Sequence, residues 1–321
     1  MSKMIRRLVP FVFALLVLAA SAPGAAASAA REFPNQSLGN RGENVRAIQG
    51  FLLAHDVVAP TDGIFAKSTR AAVKTFQAAN GLTAKGVVGD STWAKLVVRV
   101  SLGSTGEAVK VLQRQLNAKR QAGLEVDGDF DVATRKALNA FRSHVGMPRT
   151  GKVGPLTWRR LIAHFELPRF KVNNLCDYSV GNGAANWGTS AAIGQLEAAA
   201  SAFQGKGHGR VSVGDVSREH GGDIPLHATH EVGLDVDIRL IRDAGDQCRW
   251  GTNRLWSTYD RSATRQLIKA IRAAAPGHVK LIYFNDPVLI NEGLTTWYAG
   301  HDDHLHVRYC ERSYEIARYR C

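Results

Sequence analysis

The feature that most constrains what this chain can fold into is an internal repeat. Ser37-Leu38-Gly39 with Gly42-Glu43 recurs as Ser101-Leu102-Gly103 with Gly106-Glu107, a shift of 64 residues. Val45, Ile48, Gln49 and Leu52 return as Val109, Leu112, Gln113 and Leu116, and their i, i+3, i+7 apolar spacing marks one face of a helix. After a one-residue slip, Asp62-Gly63 and Phe65 match Asp127-Gly128 and Phe130, a turn signal followed by an apolar anchor. Thr69-Arg70, Ala72 and Phe76 match Thr134-Arg135, Ala137 and Phe141, which reads as a second helix. Gly86, Gly89, Thr92-Trp93 and Leu96 match Gly151, Gly154, Thr157-Trp158 and Leu161, which reads as a short third one. A unit that occurs twice in one chain must hold a core with its retained positions, so Trp93 and Trp158 are expected to be packing anchors rather than ligand platforms.

This pair closely resembles tandem peptidoglycan-binding modules of the three-helix type. The resemblance implies one module over residues 36–98, a second over 100–165, and a wall polymer as their ligand. Residues 166–174, with Pro168 closing the preceding helix, are expected to be a linker to a third unit over 175–321.

Two further features locate the chain in the cell. Lys3, Arg6 and Arg7 precede an apolar stretch from Leu8 to Ala20 and the small-residue pattern Ala27-Ser28-Ala29, which reads as a secretory signal over residues 1–30. The apolar part is shorter than a membrane span, so no stable membrane insertion is expected once the signal is cleaved. The expected location is secreted or periplasmic, at the cell wall. Charge is uneven: residues 31–168 carry 20 Lys and Arg against 11 Asp and Glu, whereas 169–321 carry 18 against 17. For an exported chain, a basic helical half points to an acidic wall polymer and not to nucleic acid. With 45% hydrophobic and 21% charged residues, the chain is also too apolar to be disordered.

From Cys176 the pattern changes to short strand-like runs, Arg210–Val213, Val236–Ile238 and Val279–Phe284, with helices expected over 189–203 and 261–275. The whole chain is therefore expected to be multidomain: two small all-α three-helix modules, then an α+β domain with a central, mostly antiparallel sheet. Seven of the eleven histidines lie between His220 and His306, and five of those seven fall in two clusters, His227 to Asp237 and His301 to His306. In extended backbone His304 and His306 share a face, as do Asp235 and Asp237. Two adjacent strands could then converge on one borderline ion such as Zn2+, held by His230, Asp237 and His306 with a fourth position left for water. There is no HExxH and no four-cysteine pattern.

His227-x-x-His230-x6-Asp237, with Gly221-Gly222 before it and Gly300-His301-Asp302-x-His304-x-His306 after it, resembles the zinc peptidases of the lysostaphin and D-Ala-D-Ala carboxypeptidase superfamily. The match is to the penicillin-insensitive murein endopeptidase family. The resemblance implies His230, Asp237 and His306 as zinc ligands, with His304, His301 and His227 in catalytic or supporting roles. His304 is favoured as the general base, although Asp303 and His301 remain alternatives. Asp235 is expected to orient a ligand. The implied activity is hydrolysis of D-alanyl to diaminopimelate cross-links by an exported enzyme held on peptidoglycan. A D,D-carboxypeptidase and an inactive wall-binding scaffold are the alternatives.

The four cysteines, Cys176, Cys248, Cys310 and Cys321, are an even number in an exported chain and are expected to form disulfides. Three pairings are possible. The favoured one joins Cys310 to Cys321 and Cys176 to Cys248. The oligomeric state is left open by the sequence.

Overall fold

The computed structural model describes residues 32–171, 174–179, 185–204, 207–225, 227–314 and 316–321. The expected signal lies outside them, as do residues 172–173 of the expected linker. Among the described residues, no helix is long and apolar enough to cross a membrane.

The helical half contains α1 (Glu43–Ala54), α2 (Lys67–Ala79) and α3 (Asp90–Leu96), then β1 (Val100–Ser101), α4 (Glu107–Arg120), α5 (Val132–His144), β2 (Lys152–Val153) and α6 (Pro155–Ala163). Each repeat thus forms three helices, and the retained residues are its interior. Trp93 and Trp158 are fully buried, and each indole N–H donates to the carbonyl of a residue outside its own helix, Pro34 at 2.9 Å and Val98 at 2.7 Å. The two retained glutamines do equivalent work. Gln49 donates to Asp62 and accepts from the Gly63 N–H; Gln113 donates to Asp127 and accepts from the Gly128 N–H. Each glutamine therefore pins its Asp-Gly turn to the first helix of its repeat with no buried group left unpaired.

The repeats differ where α1 meets α4. The equivalents of Ala47, Gly50 and Phe51 are Val111, Arg114 and Gln115. A Cβ on Gly50 would lie 2.5 Å from the Val111 side chain, so the missing side chain of one repeat accommodates the larger residue of the other. Phe51 packs edge-on against Trp158, centroids 4.9 Å apart, while Gln115 donates to the carbonyl of Glu43. As a result the two modules share one continuous hydrophobic core.

The second half contains β3 (Leu175–Asp177), α7 (Ser190–Phe203), β4 (Val211–Val213), β5 (Asp235–Arg239), α8 (Arg261–Ala274), β6 (Val279–Tyr283), α9 (Pro287–Asn291) and β7 (His304–Tyr309). Thr189 and Asp260 cap α7 and α8 by accepting from the Ala192 and Ala263 N–H groups. The strands form one sheet in the order β3-β4-β5-β7-β6. It is mixed but mostly antiparallel: β4–β5, β5–β7 and β6–β7 are antiparallel, and only the β3–β4 pair runs parallel. The parallel pair arises because α7 intervenes and returns the chain to the same end of the sheet.

Strand alternation separates the two faces of this sheet. Val236 and Ile238 of β5 and Leu305, Val307 and Tyr309 of β7 join the core shared with α7 and α8. Asp235, Asp237, His304, His306 and Arg308 therefore project from the opposite face. Disulfides join Cys176 to Cys248 and Cys310 to Cys321, the favoured pairing.

The helical half docks against this domain closely. A Cβ on Gly42, at φ +105°, would lie 2.2 Å from the Ser190 carbonyl oxygen, and the Asn44 N–H donates to the Ser190 hydroxyl. Glu166, the first residue of the expected linker, is buried and pairs with the equally buried Lys119 at 2.6 Å.

Candidate active site

Strand register brings the two sequence clusters together. Asp237 lies opposite His306 and Asp235 opposite Arg308 in the β5–β7 ladder. His230 enters from the preceding loop with φ +73°, a left-handed conformation that costs a non-glycine residue energy and occurs preferentially where function demands it.

The three expected ligands converge. His306 Nδ1 is 3.1 Å from Asp237 Oδ1 and 3.2 Å from His230 Nε2, and His230 Nε2 is 3.3 Å from Asp237 Oδ1. Four-coordinate zinc with bonds of roughly 2.0–2.2 Å needs donors about 3.3 Å apart, so this triangle is the right size for the ion. The far side of each ring is fixed as well. His230 Nδ1 faces the Val216 carbonyl at 3.0 Å, and His306 Nε2 faces Asp235 Oδ1 at 2.9 Å. Both acceptors hold a proton on the outer nitrogen, which leaves the inner nitrogen's lone pair free for a cation. Asp235 also accepts from Arg308 at 2.7 Å, so it orients His306 from behind, as expected from the sequence.

The electrostatics agree with a cation at this point. Burial alone would drive His306 toward the neutral form, but Asp235 and Asp237 outweigh it and raise its pKa to about 9. Burial likewise opposes ionisation of Asp237, and His230, His227 and His306 overcome it, holding the carboxyl well below its usual range. Asp237, buried between three imidazoles, thus stays anionic. Where no ion is bound, a proton on His306 supplies the balancing charge.

The other three predicted residues rim the triangle. His227 Nε2 is 3.4 Å from Asp237 Oδ2 and 3.6 Å from Asp215 Oδ2, and its pKa is raised chiefly by the Asp237 hydrogen bond. His227, His230 and Asp237 also bring their donor atoms within 4.8 Å of one another, so a second ligand set shares two members with the first. His304 Nε2 is 3.9 Å from Asp237 Oδ1, and the His301 ring lies tilted 4.8 Å from the His304 ring and edge-on 5.6 Å from that of His306. His230, Asp237 and His306 are buried, whereas the side chains of His227 and His304 are about a quarter exposed. Access is therefore from the side of His227 and His304.

Some of the site could not be read from the sequence. Asp303, a mostly exposed loop carboxylate, lies 2.8 Å from His304 Nδ1 and fixes that ring. A groove of about 340 Å³ over the triangle is lined by Tyr178, Ser179, Gly214, Asp215, His227 and His304. A Cβ on Gly214 would lie 2.5 Å from the Tyr178 ring, so only glycine leaves room for this wall. The groove continues past His304 into a cleft of about 710 Å³ with Arg239, Trp250 and Trp256 on its wall. The indoles are more than half exposed, and the Arg239 guanidinium lies over the Tyr178 ring at 4.2 Å. Arg254 pairs with Asp302 at 2.6 Å, and Cys176–Cys248 closes the other end, so the wall is tied to both β3 and the His-rich loop. The only sequence signal for it was the run of aromatic and cationic residues from Arg249 to Trp256.

Comparison with known proteins finds matches in both halves of the chain. Residues 41–96 and 105–161 each match a peptidoglycan-binding domain, and residues 181–283 match penicillin-insensitive murein endopeptidase. The latter match takes in His227, His230 and Asp237 and stops before the segment with His301, His304 and His306. An uncharacterised protein of Kitasatospora aureofaciens is 41% identical over 63 residues, which is 19% of this chain and 53% of that one. A zinc D-Ala-D-Ala carboxypeptidase of Streptomyces albus G is 32% identical over 99 residues, 30% of this chain and 38% of that one. The chain thus spans about half or less of these relatives' lengths. What it is similar to is nonetheless plain: two tandem peptidoglycan-binding domains followed by a domain of the penicillin-insensitive murein endopeptidase type.

Proposed function

We propose that the protein is an exported, zinc-dependent murein endopeptidase that hydrolyses D-alanyl to diaminopimelate cross-links, with the two helical modules holding it on peptidoglycan. The observation that carries this reading is the triangle of His230 Nε2, Asp237 Oδ1 and His306 Nδ1, with edges of 3.1–3.3 Å, open on one side to a groove. These three residues would hold the ion in preference to the set containing His227, because all three are buried with their donor atoms 3.1–3.3 Å apart, whereas His227 is about a quarter exposed and faces the other carboxylate oxygen of Asp237. When bound, zinc supplies Lewis acidity, polarising a peptide carbonyl and making water a competent nucleophile near neutral pH.

The chain's own groups supply the rest. Asp303 accepts from His304 Nδ1, so His304 Nε2 presents its lone pair to the groove and can take a proton from water and return it to the leaving amine. His301, whose pKa is lowered mainly by burial, is a neutral hydrogen-bond donor beside it. Arg239, Trp250 and Trp256 offer a cation and two aromatic faces to a carboxylate-bearing peptide or to sugar rings along the cleft. Attachment through the helical modules raises the local substrate concentration without any new contact at the site.

The relative named a zinc D-Ala-D-Ala carboxypeptidase makes stem-peptide trimming the second reading. Digestion of purified peptidoglycan, with metal analysis and with and without chelator, tests both. Conversion of cross-linked dimers to monomers, lost on chelation, is the expected result. Release of D-alanine alone would establish trimming, and no hydrolysis by zinc-loaded protein would overturn the peptidase reading.

A further inference from the structure

We propose that the seam between the second helical module and the peptidase domain is a second divalent-metal site, built by His144, His164, Glu219 and His220 and suited to Zn2+. His144 ends α5, His164 follows α6, and Glu219 and His220 sit in the turn between β4 and β5. The two halves of the chain therefore contribute equally. His144 Nε2 lies 2.9 Å and His164 Nε2 3.4 Å from Glu219 Oε1, with His220 Nε2 3.9 Å from Glu219 Oε2. The three imidazole centroids are 5.5–5.7 Å apart, so the three rings form a cluster at the carboxylate.

The second observation is an orphaned lone pair. His164 is more than nine-tenths buried, and its Nδ1 faces the Phe165 carbonyl at 2.7 Å, which requires the proton on Nδ1. Nε2 then carries a lone pair, is buried, has no hydrogen-bond partner among the described residues, and points at the Glu219 carboxylate. A buried lone pair thus faces a partly exposed carboxylate, an arrangement that a shared cation stabilises. His144 is set the same way. Its Nε2 lies between Glu219 Oε1 at 2.9 Å and the Arg120 guanidinium at 3.2 Å, so in the tautomer that accepts from Arg120 this nitrogen also presents a lone pair beside the carboxylate. Arg120 contacts Glu219 as well, and in the absence of metal it is the cation of the seam. Its side chain is 29% exposed and can turn out to solvent. Phe141 and Trp187 pack edge-on against His164 and wall the pocket off. Three imidazole nitrogens with one carboxylate oxygen is a donor set for zinc rather than for magnesium or calcium. The site is separate from the peptidase triangle, but the same turn serves both, because Val216, three residues before Glu219, accepts from His230.

The test is metal counting on the full chain, stripped of metal and titrated with Zn2+ against a chromophoric chelator. The wild type is expected to bind two equivalents, Asp237→Ala one, H144A/H220A one, and the triple variant none. Thermal unfolding gives a second readout: Zn2+ should raise the Tm of Asp237→Ala but not that of the triple variant. His144 and His220 are surface side chains, so their removal leaves the fold intact. Arg120→Gln, which removes the competing cation, should tighten the seam site by about fivefold or more, the equivalent of roughly 1 kcal/mol of like-charge repulsion. No equivalent in Asp237→Ala, two equivalents retained by H144A/H220A, or weaker binding by Arg120→Gln would each overturn the proposal.

Discussion

The helical and peptidase halves bury polar side chains in opposite ways. Gln49 and Gln113 spend their amide groups on a turn backbone and a neighbouring side chain, and nothing about either arrangement asks for a ligand. His230, Asp235, Asp237 and His306 spend theirs on one another, with like lone pairs turned inward and a histidine held at positive φ. The first pattern stabilises a fold. The second costs stability unless a positive charge balances Asp237 at its centre, which a bound cation or the proton on His306 supplies. Substitutions in the two halves should therefore divide between loss of activity and loss of folding.

The largest effect is expected at the groove. His304→Ala should lower the turnover of cross-linked muropeptide by about 10²- to 10⁴-fold, the usual contribution of a general acid–base group, while bound zinc and Tm stay at their wild-type values. Steady-state kinetics and metal analysis on one preparation check this. Unchanged turnover would transfer the proton role to Asp303 or His301.

In the helical half the corresponding change acts on folding alone. Trp158→Ala removes an indole packed against Phe51 of the other module and should cost about 3–5 kcal/mol. Trp93→Ala empties a similar space, but Trp93 stacks on Phe33, close to the start of the described chain, so its loss should leave the α1–α4 contact in place. Urea unfolding should show the larger loss of cooperativity in Trp158→Ala. Turnover of a small soluble substrate by the folded fraction should match the wild type in both.

Asp235→Asn probes the boundary between the two patterns. The amide keeps the shape but removes the charge that holds His306 with its proton outward, and metal affinity should fall about 10- to 100-fold with the fold unchanged. Competition with a chromophoric chelator measures it. If affinity holds, Arg308 and the ladder suffice to orient the ring.

How much of this was legible in the sequence follows from the same contrast. Retained apolar positions revealed the repeat because a core tolerates little change, and period-2 spacing put His304 with His306 and Asp235 with Asp237 because a strand permits nothing else. Tertiary pairing was harder to read. Three-residue strands such as β3 and β4 carry no pattern that distinguishes parallel from antiparallel. The fusion of the two modules depends on where the repeats differ, at Gly50 and Val111, and a search for similarity discards those positions. Gly42 against Ser190 and Lys119 with Glu166 are likewise single contacts between distant segments, with no local spacing to announce them.

The smallest predicted effect concerns how the first module meets the peptidase domain. Glu311 follows Cys310 of the C-terminal disulfide and is buried, and among the described residues the Asn40 side-chain amide, 3.4 Å away, is what favours its charge. Burial therefore raises its pKa from an ordinary 4.5 to about 8. The folded chain keeps this proton in a range where the unfolded chain has released it, so stability attributable to Glu311 declines as pH rises from about 4.5 and levels off above about 8. Between pH 7 and pH 8 the loss should be about 1 kcal/mol. Glu311→Gln mimics the protonated form and should remove this part of the decline, leaving the variant more stable than the wild type at pH 8 and nearly equal to it at pH 4.5. Urea unfolding of both proteins across that range isolates the group, because every other titration is common to the two. Parallel stability curves would mean that the carboxyl is ionised throughout, and that the seam at Asn40 tolerates a buried charge as readily as the one at Lys119 and Glu166.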